Sequence, residues 1–298
     1  MGRKTLLIMA AGSGSRYGAL KQFDELGPNK EFLFEFSIYD AIGNGFDHIV
    51  VVTREQFAED IKNYLEKRLP EHVKIDVVPQ VISNLPIKPN FAIERIKPWG
   101  TAHAVWVTKK YIHNYFVVIN ADDFYGKDAF KNASEFIDRE EKNALFGMVP
   151  YTLKNTLSDY GSVARGVCNL DGSFLKDITE YLTIDRKEDT IAYQQTNAMF
   201  SGDERVSMNL WICSPVIFKE IEQEMIRFLT SETKLESTEI YIPRVIQNLI
   251  ADKKIRVKAT KPGSSWFGVT YANDKEVAVK TLEKLVAQNV YPSPLWKI

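Results

Sequence analysis

The chain has 298 residues, 45% of them hydrophobic and 26% charged, which suits one large globular domain or two small, closely packed ones. A chain of this length buries roughly three quarters of the surface its unfolded form exposes, so it needs neither disulfides nor a structural metal to fold. The formal net charge of -1 gives no electrostatic reason to expect nucleic acid or an anionic membrane as partner, so any phosphate site must be local.

The run LLIMAAG near the N-terminus is far too short to span a bilayer, and Arg3 and Lys4 before it do not make it a signal peptide when a glycine-rich loop follows directly. Leu6 to Met9 is predicted as a buried first strand. Ser37 to Gly43 lies in a helix ended near Asn44-Gly45, and Ile49 to Val52 is the second strand. Ala58 to Arg68 reads as a helix, Val73 to Val78 as the third strand, and Thr101 to Lys110 as a helix. Phe116 to Ile119 is the fourth strand, entering the polar tip Asn120-Ala121-Asp122-Asp123. The segment Pro79 to Pro98 holds four prolines and reads as an extended, irregular excursion.

After about residue 150 the pattern loosens, with β-rich stretches around Gly161 to Cys168 and Ser207 to Ile212. Helices are expected near Pro215 to Phe228 and Thr238 to Ile250. Lys253-Lys254-Ile255-Arg256 reads as a solvated turn into a strand, and Asp274 to Ala287 as the closing helix. Strand and helix in alternation imply an α/β class, a three-layer α/β/α arrangement about a mixed, mostly parallel sheet. The tail Tyr291-Pro292-Ser293-Pro294-Leu295-Trp296 is apolar enough to dock on its own chain or another, and a homo-oligomer is compatible with it. Cys168 and Cys213 stand without CxxC or Cys/His spacing, so neither a zinc cage nor a redox pair is indicated, and free thiols suit a cytoplasmic location.

The first strand runs straight into Ala10-Ala11-Gly12-Ser13-Gly14-Ser15-Arg16, and a glycine-rich loop leaving a buried strand lets backbone N–H groups approach phosphate oxygens. It lacks the Gly-Lys-Ser/Thr end of a P-loop and the GxGxxG of a dinucleotide fingerprint. What it offers is GxGxR. By itself the loop reads either as a phosphate site or as an ordinary tight turn. In the former, Arg16 can bind a triphosphate with two donors and neutralise charge developing on a leaving pyrophosphate, and Lys21 reads either as the second cation such a site needs or as a solvated surface lysine. At the end of the fourth strand, Asp122 can stand beside this loop, because ligands of open α/β sheets collect at the carboxyl ends of the strands. One or two carboxylates with phosphate oxygens and water suit Mg²⁺. Asp123 reads either as a second carboxylate of that tip or as an exposed turn residue.

With these residues in view, the chain resembles the sugar-phosphate nucleotidyltransferases, a family with a Rossmann-like core related to GT-A glycosyltransferases. AAGSGSR resembles its G-x-G-x-R signature, VINADDFYG its strand ending in a magnesium-binding aspartate, and Gly100-Thr101-Ala102-His103-Ala104 its G-[TL]-A-x-A helix start. The resemblance implies that Ala11, Gly12, Gly14, Gln80, Gly100 and Thr101 contact the nucleotide, with Gln80 reading a pyrimidine edge. Tyr160-Gly161-Ser162-Val163 resembles the family's Y-G-x-[VA] segment and Ile178-Thr179-Glu180 its I-x-E-K segment, which assigns Gly161, Glu180 and Asn209 to the sugar. Residues 1–150 thus become the nucleotide-binding half, and 151–298 the sugar-binding half and C-terminal helix, of a single domain. The implied partners are a nucleoside triphosphate and a sugar 1-phosphate, the cofactor Mg²⁺, and the catalytic residues Arg16, Lys21 and Asp122.

The chain departs from the family pattern at three points. The family lysine follows the arginine within a Pro-Lys pair, whereas here Lys21 comes early and Lys30 late. Lys21 is favoured because Lys21-Gln22 resembles the cytidylyltransferase branch of the same fold, which keeps transfer from CTP to phosphocholine or a polyol phosphate as an alternative. Tyr181 replaces the lysine after Glu180. Trp266-Phe267-Gly268-Val269-Thr270 stands where W-x-D-x-G would bring a second metal carboxylate, leaving Asp274 as the candidate. The last two departures also keep open a non-catalytic relative that binds a nucleotide sugar. His103, near a helix start, reads as a packed or capping side chain, and His48, His72 and His113 have no metal-ligand spacing.

Overall fold

Successive side chains of a strand point to opposite faces, and in β1 (Thr5–Met9) both faces are apolar and buried. Leu6 and Ile8 enter one core, Leu7 and Met9 the other. In β2 (His48–Thr53) the same division separates Ile49 and Val51 from Val50 and Val52. Strands buried on both faces need helices on both sides. The first core is covered by α1 (Leu33–Gly43), α2 (Ala58–Glu66), α4 (Lys127–Arg139) and α7 (Asp274–Ala287), the second by α3 (Thr101–Trp106), α5 (Val216–Thr230) and α6 (Ile242–Ala251). The computed structural model, which describes residues 3–12, 23–88, 95–139, 144–187, 190–196, 198–230, 235–269 and 273–296, thus has the expected three-layer α/β/α architecture.

β3 (Lys74–Pro79), β2, β1 and β4 (Phe116–Asn120) lie side by side and parallel. The second half adds β6 (Leu145–Thr152), β7 (Val163–Asp171), β8 (Phe174–Lys187), β9 (Thr190–Tyr193), β10 (Ala198–Phe200), β11 (Arg205–Cys213) and β12 (Arg256–Ala259). The order is β10-β9-β8-β12-β6-β11-β4-β1-β2-β3, with β7 pairing both β11 and β8. Apart from the parallel β12–β6 pair, the added strands join antiparallel, so the mixed character of the sheet resides in this half. A separate two-stranded ribbon pairs β5 (Asp123–Phe124) with β13 (Phe267–Gly268).

Several boundaries shift for local reasons. The first helix begins at Leu33 because the Glu35 carboxylate accepts the Phe32 N–H at 2.7 Å, satisfying a donor the helix start leaves open. The α3 helix stops at Trp106, where the Thr108 hydroxyl takes the Val105 carbonyl at 2.6 Å. The α6 helix begins at Ile242, with Pro243 in its first turn, where a missing N–H costs nothing. Between β3 and α3 the described residues form no helix or strand, as the prolines imply, and Ile82, Leu85 and Ile87 pack on Trp99, Leu229 and Leu235.

The tail docks on its own chain. The Tyr291 hydroxyl donates to Asp40 at 2.6 Å, Leu295 N–H to Glu31 at 3.2 Å, and the Trp296 indole to Glu35 at 2.7 Å. Glu35 is fully buried, and it also accepts from the Tyr64 hydroxyl at 2.6 Å with Arg68 at 3.8 Å. Among the described residues no helix is long and apolar enough to cross a membrane.

Candidate active site

The carboxyl ends of the parallel strands form the floor. Met9 pairs with both Val52 and Asn120, Ala10 N–H donates to the Val52 carbonyl at 2.7 Å, and Ala121 N–H to the Met9 carbonyl at 3.1 Å. Ala11 and Gly12 therefore leave the sheet between the ends of β2 and β4. Ala11 is buried and Gly12 exposed, with the Gly12 carbonyl 3.4 Å from Arg54 Nη2. Gly14, Arg16 and Lys21 lie outside the described residues. Lys30 sits exposed in the turn before α1, with a positive φ of 64°, 4.0 Å from Glu25.

On the β3 side, Gln80 N–H is anchored on the Thr53 carbonyl at 2.8 Å, and its side-chain nitrogen lies 3.1 Å from both the Gly100 carbonyl and His103 Nδ1. Gly100 caps α3 at φ 99° and ψ -177°. A Cβ there would stand 2.5 Å from the Ile240 carbonyl oxygen, so only glycine lets the two segments meet. Ile240 N–H donates to Trp99 at 2.8 Å, Ala102 N–H to Ile240 at 3.0 Å, and Ile242 N–H to the Thr101 hydroxyl at 3.0 Å. These bonds tie the start of α3 to the start of α6, and so set Tyr241, Pro243, Arg244 and Gln247 over the floor.

A cavity of about 610 Å³ opens there, within the size range of small-molecule sites. It brings together Thr101, Asp122, Glu180 and Asn209, four residues singled out from sequence, with Asn120, Asp123 and Arg165. Asn209 arrives through an irregularity. The β11–β6 register shifts between Ser207 and Trp211, and Asn209 takes a φ of 60°, which asparagine tolerates better than most side chains. Glu180 lies opposite Gly166, where a Cβ would come within 3.1 Å of its carboxylate. The Glu180 side chain reaches solvent through the open cavity, yet the surrounding protein still desolvates the carboxyl enough to raise its pKa, with Arg165 opposing the rise.

Asp123 is buried and lines the cavity beside Asp122, which settles the open reading against an exposed turn residue. Its Oδ2 accepts from Asn120 Nδ2 at 2.8 Å and lies 3.2 Å from the Tyr125 hydroxyl, while Oδ1 faces Gly268, where a Cβ would sit 2.6 Å away. The resemblance to W-x-D-x-G would put a second carboxylate at Gly268, and the Asp123 side chain crowds that space. Among the described residues no three potential ligands cluster tightly enough to hold a metal by themselves. A carboxylate pair that leaves the rest of the shell to phosphate and water fits Mg²⁺. Asp274 opens α7, is buried, accepts from Ser158 at 3.1 Å, and lines a neighbouring cavity of about 100 Å³. Gly161 lies in the turn bridged to Ser158 ahead of β7, outside the residues lining either cavity.

Arg165 was not singled out from sequence, because nothing distinguishes an arginine in an alternating strand. It lines both cavities, donates to the Thr156 carbonyl and hydroxyl and at 2.7 Å to Ala164, and lies 5.0 Å over the Trp266 ring. Burial lowers its pKa to about 10 against the pull of Asp123, Glu180 and Asp274, so it is charged at neutral pH. Tyr241, Arg244 and Gln247 are further lining residues that carry no sequence signal, and Trp266, the tryptophan of the W-x-D-x-G comparison, lines the cavity with them. Cys168 and Cys213 are both free and buried, and burial pushes the Cys168 thiol up to about 12, leaving no reactive thiolate.

Residues 5–180 match the family model described as nucleotidyl transferase. No curated protein matches the chain in sequence. Among solved structures, the chain is similar to an inositol-1-phosphate CTP transferase from T. maritima, at 15% identity and a TM-score of 0.60 over 95% of this chain and 97% of that one. It is similar to a UDP-glucose pyrophosphorylase complexed with UDP-glucose, at 17% identity and a TM-score of 0.59 over 95% and 99%. A proposed glucose-1-phosphate thymidylyltransferase from Bacillus anthracis gives 14% identity and a TM-score of 0.60 over 94% and 95%. Identities this low speak for a shared fold.

Proposed function

The chain belongs to the nucleotidyl transferase family, and from that membership we propose that it transfers a nucleoside monophosphate from UTP or dTTP to a sugar 1-phosphate, releasing pyrophosphate and forming a nucleotide sugar. The observation that carries this reading is the cavity in which Asp122, at the tip of β4, faces Glu180 and Asn209 from β8 and β11. In this reading Asp122 is the metal-binding carboxylate and Glu180 and Asn209 are the hydroxyl-binding groups, and the cavity they share has room for an acceptor.

In the proposed reaction an oxygen of the acceptor phosphate bonds to the α-phosphorus of the triphosphate in line, the bond from that phosphorus to the bridging oxygen breaks, and pyrophosphate leaves. A phosphate oxygen is already a nucleophile at neutral pH, so the protein contributes positioning and charge neutralisation. Arg16 holds the β- and γ-phosphates, and Lys21 bridges the α-phosphate and the incoming phosphate. Ala11, Gly12, Gly14, Gln80, Gly100 and Thr101 seat the nucleotide, while Gly161, Glu180 and Asn209 face the sugar. Mg²⁺ on Asp122, with Asp274 or the adjacent Asp123 as second carboxylate, supplies charge neutralisation at the α-phosphate when bound. The two free cysteines accord with a cytoplasmic enzyme.

The test is pyrophosphate release in Mg²⁺, crossing UTP, dTTP, CTP, GTP and ATP against sugar 1-phosphates, inositol phosphate and phosphocholine. Release that requires UTP or dTTP together with a sugar 1-phosphate supports the proposal. A second reading, cytidylyl transfer to a polyol phosphate, is favoured by the fold shared with the T. maritima transferase and by Lys21-Gln22. Release confined to CTP with inositol phosphate or phosphocholine would select it.

A further inference from the structure

His103 lies in α3 with no surface exposed, its ring stacked on Trp106 at 5.9 Å between centroids. Its two nitrogens face different partners. Nε2 is 2.7 Å from the Asn84 carbonyl oxygen, which can only accept, so Nε2 carries the proton. Nδ1 is then the lone-pair nitrogen, and it accepts from Gln80 Nε2 at 3.1 Å. The other hydrogen of the same amide nitrogen goes to the Gly100 carbonyl at 3.1 Å. With both amide hydrogens committed, Gln80 Oε1 is the atom left for a ligand. Turning the amide over would set Oε1 against two acceptors at once. Burial pushes the imidazole pKa down to about 4, so the relay persists at neutral pH.

From this relay we infer that His103 is a positioning residue for base selection, holding Gln80 with its amide oxygen presented to the nucleobase. The inference rests on the nucleotide reading of Gln80 made above. A fixed acceptor at the pyrimidine N3 position favours uracil or thymine, whose N3 bears a hydrogen, and rejects cytosine, whose N3 is itself an acceptor. Selectivity is thus written one residue behind the one that touches the base.

The experiment measures UTP and CTP affinity by calorimetry in Mg²⁺ without acceptor, so it stands whether or not transfer is observed. The wild-type protein should prefer UTP. His103→Phe keeps the ring shape but offers no lone pair, and it should lower the UTP:CTP ratio by about tenfold to a hundredfold, the range expected for one misdirected buried hydrogen bond. His103→Gln supplies both an acceptor and a donor and should restore much of the ratio. In a Gln80→Ala background, His103→Phe should change the ratio no further, which separates action through Gln80 from general damage. A wild-type preference for CTP, or a His103→Phe ratio equal to wild type, overturns the inference while leaving nucleotidyl transfer untouched. Absence of any nucleotide binding instead removes the reading on which it rests. Spectra of ¹⁵N-histidine-labelled wild type need no variant to fold: the Nε2–H tautomer is expected at His103, and the Nδ1–H tautomer would overturn the relay.

Discussion

Gly100 occupies φ 99° and ψ -177° where α3 begins, backbone that side chains with a Cβ rarely adopt. An added methyl would stand 2.5 Å from the Ile240 carbonyl oxygen and 2.9 Å from the Ile240 nitrogen. Both are backbone atoms, and Ile240 is held by hydrogen bonds of 2.8 Å to Trp99 and 3.0 Å from Ala102, so it cannot yield without breaking the tie between α3 and α6. Gly100→Ala therefore combines backbone strain of about 1–3 kcal/mol with an overpacking cost of about 1–3 kcal/mol. The sum, about 2–6 kcal/mol, is a large share of a typical stability of about 5–15 kcal/mol. Gly45 is the control. Its φ is also positive, at 86°, but a Cβ there meets nothing within 4 Å, so Gly45→Ala carries strain alone, about 1–2 kcal/mol. Urea unfolding of both variants gives the comparison through midpoint shifts at constant slope. Gly100→Ala should lose at least about 1 kcal/mol more than Gly45→Ala, and equal losses would refute the argument that the Ile240 contact requires glycine.

Asp40 is buried and its carboxyl is raised to about 7, chiefly by desolvation. A folded-state value above the unfolded one means stability that is present at low pH and lost as pH rises through about 7. Asp40→Asn should thus melt higher than wild type at pH 8, by up to about 4 kcal/mol of stability, with the gap closing towards pH 4; a gap that ignores pH would contradict this. Trp296→Ala removes a buried indole and the donor to Glu35, and should cost about 3–5 kcal/mol in thermal or chemical unfolding. Under the proposed mechanism, Asp122→Asn should lose Mg²⁺-dependent turnover, and Arg16→Ala should cut kcat by roughly 10²-fold or more. Unchanged rates in either would take that residue out of the site.

The parts of this site written at strand ends were legible in the sequence. Asp122 could be placed because an apolar run of strand length leads into the polar tip that carries it, whereas Gly100 came from the resemblance to the family's helix start. Glu180 and Asn209 came from resemblance alone. Periodicity could not have placed Asn209, since a register shift and a left-handed backbone turn it into the cavity. Arg165 escaped, and Asp123 stayed open between a second carboxylate and an exposed turn, because their settings depend on distant residues, Trp266 for one and Gly268 for the other, more than 90 residues away in sequence. The helices α4 and α7 share the first core, but only the second was anticipated, and the long β8 was read only at Glu180.

The most direct test of the central claim uses UTP or dTTP labelled at the α-phosphorus, incubated with the enzyme, Mg²⁺ and a sugar 1-phosphate, followed by phosphatase. The account predicts label in a diester product that resists phosphatase and forms only when the acceptor is present. Label released entirely as inorganic phosphate with every sugar 1-phosphate offered would contradict it.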